Sequence, residues 1–147
     1  QLKVADVHRT AERIQDMGGT LIAEPQEVEG FGEMVIAQLP SRSRICLFSP
    51  LPSEDGGAAA SEHGHIAWAE LMTTKHDDDV FFLMELFNAK PFRLRTGKMN
   101  YTTLTVNRRE VFGICQDLSH ASDTGGRWRV YFQVPDVDAA ARVATEN

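Results

Sequence analysis

FQVPDVDAAARVATEN, residues 132–147, repeats the phrasing of LKVADVHRTAERIQDMGG, residues 2–19. Each reads as the end of a strand, then V-x-D-V, then an amphipathic helix. In the first copy Val7, Ala11, Ile14 and Met17 fall on one helical face, with Arg9, Glu12, Arg13 and Asp16 elsewhere. Asp6 has the side chain and position of an N-cap, and Gly18-Gly19 ends the helix. A chain that closes on the phrase it opened with is built from a repeated unit and cut out of phase with it.

The intervening sequence supports the repeat. TLIAEP, EGFGEMVIAQL and RICLFSP read as three strands after the first helix, giving β-α-β-β-β over residues 1–50. LPSEDGGAAASEHG is small, polar and rich in Gly, Ala and Ser, so residues 51–63 read as a linker. HIAWAELMT then restarts the pattern as a strand. Thr74 and Asp77 have the T-x-x-D spacing of a capping box, and Val80, Met84 and Phe87 form a helix face, with Phe81 and Leu83 beside them. PFRLR, NYTTLTV and REVFGICQD supply three more strands, so residues 64–118 form a second unit. Residues 127–147 begin a third. Asp6 and Lys75, each just before a helix, are 69 residues apart, and Lys75 and Asp136 are 61 apart. A period of about 65 residues with one element order points to stacked supersecondary units, each needing a neighbour to cover its sheet.

Composition narrows the function. The 147 residues are 42% hydrophobic and 24% charged, an ordinary globular balance. A formal charge of −6 with no basic stripe argues against nucleic acid as a partner. No apolar run approaches the ~20 residues that span a bilayer, so no membrane partner is expected. Cys46 and Cys115 sit in apolar strand-like runs and read as buried, reduced thiols, which fits a cytoplasmic protein.

V-x-D-V with an Ala-rich helix and GG, followed by a Gly-rich turn and a strand pair, resembles the second half of a glyoxalase/bleomycin-resistance/extradiol-dioxygenase domain. WAELMT, the F-x-x-x-L-F of residues 82–87, YTTLTV and the VFGI turn are similar to the start of the next domain in two-domain members. WRVYFQVPDVDAA resembles the start of that domain's second half. This is the vicinal oxygen chelate superfamily, and the resemblance covers nearly all of the chain outside the linker. It implies an α+β fold in which paired βαβββ modules form a curved mixed sheet, a cup with the substrate inside. Catalytic members hold a divalent metal with His, Gln or Glu from the first strand of each module and from a late strand.

Carried over residue by residue, the resemblance puts the first-strand ligand positions on Trp68 and Arg129, seven residues before Lys75 and Asp136. The late-strand position falls on Cys46 in the first unit and near Gly113 in the second. An indole and a guanidinium do not ligate a divalent metal, so no cofactor is expected, with a divalent metal as the alternative. His63 and His65 form an H-x-H at the linker's end and read as solvated; His65 is the fallback ligand, since one bulge would change its parity. The run His76-Asp77-Asp78-Asp79 reads as a helix start, where acidic groups meet free N–H groups. His8 and His120 read as surface residues.

Alternation puts Trp68 and Glu70 on one face of their strand, and Arg129, Tyr131 and Gln133 on one face of theirs. An interior of Trp68, Glu70, Arg129, Tyr131 and Cys46 suits a small organic ligand with an anionic or planar group, Arg129 being its charge partner. A plainer arrangement has Glu70 and Arg129 pairing across the sheet with Trp68 packed over them. The expected function is thus metal-free binding of a small organic molecule. The alternatives are a metal-dependent lyase, isomerase or dioxygenase with ligands partly outside this segment, and a non-catalytic dimerisation module. The first two units should pack on each other or swap into a homodimer.

Overall fold

Asp6 opens the first helix, its carboxylate accepting the Arg9 amide at 2.9 Å. The structure, a computed structural model, describes residues 2–51, 64–96, 99–117 and 125–146. The elements in order are β1 (Leu2–Lys3), α1 (Val7–Asp16), β2 (Thr20–Val28), β3 (Gly32–Gln38) and β4 (Arg44–Pro50). Then come β5 (Ile66–Thr73), α2 (His76–Phe87), β6 (Lys90–Thr96), β7 (Met99–Val106) and β8 (Arg109–Gln116). The last two are β9 (Arg127–Phe132) and α3 (Val137–Glu146).

The strands make two mixed sheets, ordered β1-β4-β3-β2 and β6-β7-β8-β5-β9. In each, the strand before the helix runs parallel to the last strand of its unit: β1 beside β4 and β5 beside β8. β9 adds to the free edge of β5, antiparallel, and so completes the second sheet. The α+β fold of paired βαβββ modules is as expected, with each module forming its own mixed sheet and the helices lying between the two. One core joins them: Val7, Ala11 and Ile14 of α1 and Val80, Leu83 and Leu86 of α2 pack with Val35 and Leu47 on one side and Leu71, Leu104 and Ile114 on the other. A helix covers the apolar face of its own unit's sheet, and the two covered faces meet.

That placement corrects the sequence reading of α2. Phe82 and Leu86 are buried with Val80 and Leu83, whereas Phe81 is 62% exposed. A helix lying between two sheets is buried on more than one face, and Phe82 closes against Gly19 at the end of α1. The expected capping box does not form: Lys75 is the N-cap, without a side-chain cap. The Thr73 hydroxyl takes the Lys75 amide at 2.9 Å instead. The VFGI segment lies inside β8, not at a turn. The turn is at Asn107 and Arg108, both with positive φ (50° and 66°), as a tight hairpin requires.

Polar contacts fasten the units together. Arg13 Nη2 donates to the Glu85 carbonyl at 2.6 Å, and Trp128 Nε1 donates to the Arg44 carbonyl at 2.9 Å. The Ser41 amide donates to Asp79 Oδ1 at 3.0 Å, and the Gly126 amide to the Ser41 carbonyl at 3.1 Å, so the β3–β4 turn ties α2 to the start of β9. Asp79 is fully buried, and its Oδ2 makes no hydrogen bond among the described residues. Burial pushes its carboxyl above the usual carboxylate range, against the opposing contacts of Thr73 and Ser41.

The sign of the pH dependence follows. A carboxyl with a raised folded-state pKa gives its full stabilisation below the unfolded value of about 3.9 and loses it as pH rises through the folded value. Asp79→Asn keeps the oxygen that accepts from Ser41 and cannot ionise. The variant is expected to gain about 1 kcal/mol on the parent at neutral pH, the usual order for an unsatisfied buried group. Denaturant midpoints at pH 5 and pH 8 check this: the gain over the parent should be larger at the higher pH.

Candidate functional site

One face of the second sheet is turned away from α2, and its strand pairing places the side chains in rows, because directly paired residues project to the same side. Phe92, Thr103, Gly113, Glu70 and Arg129 follow one another from β6 to β9. Leu94, Tyr101, Cys115, Met72 and Arg127 form the next row. Trp68 lies opposite Tyr131.

The centre of this face is a hydrogen-bonded cluster. Tyr131 donates its hydroxyl to Glu70 Oε1 at 2.7 Å, and Arg129 Nη1 donates to the same oxygen at 3.1 Å. Arg129 Nη1 also lies 3.4 Å from the Tyr131 hydroxyl, and that hydrogen bond, together with the Glu70 carboxylate, raises the guanidinium pKa further. Trp68 Nε1 donates to the Tyr101 hydroxyl at 2.8 Å. The Tyr101 phenol lies directly over Gly113, where any Cβ would overlap its hydroxyl. Burial and the neighbouring Glu70 carboxylate raise the Tyr101 pKa, so the phenol stays protonated. Cys115, in the next row, is buried; burial and Glu70 push its thiol up, only partly offset by Arg129. It is an inert thiol rather than a nucleophile.

Four of the five expected site residues therefore share this face: Trp68, Glu70, Arg129 and Tyr131. Cys46 does not. It lies on β4, in the other sheet, because the two units pack through their helices rather than curling round one hollow. Cys46 and Trp68 both border a groove of about 730 Å³ between the sheets, with Ile36, Phe112 and Trp128 among its other walls. The plainer arrangement is the one found: Glu70 lies opposite Arg129, and the two pair across the sheet at 3.1 Å. Trp68 lies opposite Tyr131 in the same regular ladder, and the one irregularity falls beyond it, between Ile66 and Trp68. Both cysteines are free thiols, Cys115 buried and Cys46 half-buried.

The residues present do not suit a divalent metal. Glu70 is the one carboxylate in the first-strand pair, and its Oε1 is already shared by a phenol and a guanidinium, while the facing position is itself a cation. Among the described residues no group of three or more His, Cys, Asp or Glu could hold a metal ion. His76 is buried, within 3.1 Å of both the Thr102 hydroxyl and Asp77 Oδ1. His8 lies 3.1 Å from Glu33 on the surface. His63 and His120 lie outside the described residues.

The sequence reading missed Tyr101 and the apolar side chains of β6, and it named Gly113 only as a late-strand ligand position. One signal for them was present: a glycine inside an apolar strand, as in REVFGICQ, marks a close approach by something else.

Comparison with solved structures settles the architecture. The chain matches a triple mutant of 4-hydroxymandelate synthase from Streptomyces coelicolor with a TM-score of 0.61 at 11% identity, over 99% of this chain and 52% of that one. It matches BphC, a halotolerant catechol dioxygenase, with a TM-score of 0.63 at 11% identity, over 97% of this chain and 52% of that one. A fusion of a xylose isomerase-like TIM barrel with 4-hydroxyphenylpyruvate dioxygenase matches at 0.57 and 16% identity, over 98% of this chain and 26% of that one.

The fold is that of the vicinal oxygen chelate superfamily.

No family model matches the sequence. Among curated proteins, the anthracycline biosynthesis protein DauV of Streptomyces sp. (strain C5) is 26% identical over 143 residues, 96% of this chain and 50% of its own length. The chain thus spans about half the length of the curated relative it matches. The strands that open the second and third units, β5 and β9, lie side by side, and Glu70 and Arg129 pair across that junction. No helix among the described residues is long and apolar enough to cross a membrane.

Proposed function

We propose that this segment forms part of a vicinal oxygen chelate protein that binds a small planar organic molecule on the open face of β5–β9, without a metal. The observation that carries the reading is the Glu70–Tyr131–Arg129 cluster at the junction of the two module-opening strands. It satisfies the carboxylate and leaves the outer edge of the guanidinium open, with the Arg129 side chain 47% exposed. A guanidinium edge of this kind donates two parallel hydrogen bonds to a carboxylate, a phenolate or a neighbouring pair of oxygens. Tyr131 and Trp68 supply the amphipathic rim that organic-ligand sites use.

The likeness to an anthracycline biosynthesis protein fits a planar, oxygen-bearing ligand. A homodimer belongs to the same proposal: Phe132 and Val137, 60% and 71% exposed, are apolar surface suited to a second copy. The cytoplasmic setting rests on the two free thiols.

The test is binding of a hydroxylated aromatic acid, salicylate, to the intact protein, followed by tryptophan fluorescence. Arg129→Gln is expected to weaken binding at least about tenfold, the loss of one charge-assisted pair, with the melting profile retained. Equal affinity in parent and variant would remove Arg129 from the site.

A further inference from the structure

The core face of the second sheet continues past the packed core. Along β5, Leu71 is fully buried, Ala69 half-buried and Ala67 exposed, although alternation puts all three on that face. Ala69 lies opposite Val130 and Leu71 opposite Trp128, so the uncovered stretch runs on into β9. Across from it stands β4 of the first unit. The space between is the groove of about 730 Å³, with Phe112, Val111, Ile36 and Ile45 also on its walls. That is the size and lining of a small-molecule site rather than of a packing defect.

Polar groups in the groove are few, and most are committed. The Trp128 indole donates to the Arg44 carbonyl at 2.9 Å, and the Trp68 indole to the Tyr101 hydroxyl at 2.8 Å. Glu110, on the β8 wall, accepts from the Thr103 hydroxyl at 3.0 Å. The Arg44 guanidinium, on the β4 wall, is exposed and has no hydrogen bond or ion pair among the described residues. A ligand with several polar groups would leave most of them unpaired against apolar side chains, whereas a single anionic end would meet a cation.

We infer that this groove binds a free fatty carboxylate. The carboxylate meets Arg44 and keeps clear of the Glu110 carboxylate. The hydrocarbon tail lies over Ala67 and Ala69, between Phe112 of β8 and Val130 of β9. The two alanines leave the floor low enough for a methylene chain. Burial of the tail supplies most of the affinity, and the charged end fixes its direction. The inference uses none of Glu70, Arg129 and Tyr131, and it does not depend on the open face being a ligand site.

Cys46, half-buried on the groove wall, reports occupancy. In the intact protein, N-ethylmaleimide modification of Cys46 is followed by peptide mass spectrometry, with buried Cys115 as the slow internal control. Saturating dodecanoate, kept below its micelle concentration, is expected to slow the reaction at Cys46 at least about tenfold. Its affinity, read from the same protection, should exceed that of dodecanol about tenfold, the contribution of one charge-assisted contact. Arg44→Gln should bring dodecanoate to the dodecanol level and leave dodecanol unchanged. Ala69→Leu fills the floor and should abolish protection by both, with the melting profile showing that the fold is kept. Equal affinities for the two compounds in the parent, or parent-like dodecanoate affinity in Arg44→Gln, overturn the inference. Unslowed modification in saturating dodecanoate does the same. So does a Cys46 that is inert without ligand, because the protein's own residues would then occupy the groove.

Discussion

Replacing Phe112 with alanine is expected to cost about 3–5 kcal/mol, the range for deleting a buried aromatic ring. Phe112 is 1% exposed, and its ring meets Phe87 edge-on at 6.4 Å and Trp128 edge-on at 5.4 Å. Those contacts join α2, β8 and β9, so the cavity would open where the third unit's first strand is fastened to the rest. Neighbours that are themselves secondary-structure elements cannot collapse into the space. The melting temperature should fall by roughly 10 °C or more in a chain of this size. Phe112→Leu, which keeps most of the volume, should lose less than half as much. Thermal unfolding of parent and both variants decides the matter; equal losses would mean that ring geometry, not volume, is what the site requires.

The second large effect is expected at Gly113. Valine there would drive its Cβ into the Tyr101 hydroxyl, so the phenol must swing off the sheet and abandon its hydrogen bond from Trp68. Overpacking of this kind typically costs about 1–3 kcal/mol. Tyr101→Ala removes the obstacle. The double variant Gly113→Val with Tyr101→Ala should therefore be more stable than the sum of the single losses implies, with a coupling of about 1 kcal/mol or more. Additive losses would show that the valine clashes with something other than Tyr101.

What the sequence made legible was periodicity. The Val7, Ala11, Ile14 spacing and the Asp6 cap describe α1 as it stands, with all three apolar residues buried and the cap bond made. Parity along WRVYFQV put Arg129 and Tyr131 on one face, and they do share it. Parity along HIAWAEL did the same for Trp68 and Glu70. The plainer arrangement, Glu70 pairing with Arg129 across the sheet, is also the one found. What depends on how two units pack was less legible, because no one-strand pattern fixes it. Cys46 was grouped with the other four residues, yet it lies on β4, in the other sheet. The depth of Asp79 was hidden for a similar reason. An acidic run at a helix start reads as solvated, until a turn from the other unit closes over it.

The account depends on a guanidinium–carboxylate pair doing the work of recognition at the junction of β5 and β9. The most direct measurement is ligand affinity and metal content of the intact protein, before and after dialysis against a strong chelator. The expected result is unchanged affinity for the hydroxylated aromatic probe and far less than one metal ion per chain in both samples. Stoichiometric iron, manganese, nickel or zinc that leaves with the chelator and takes the binding with it would contradict the account.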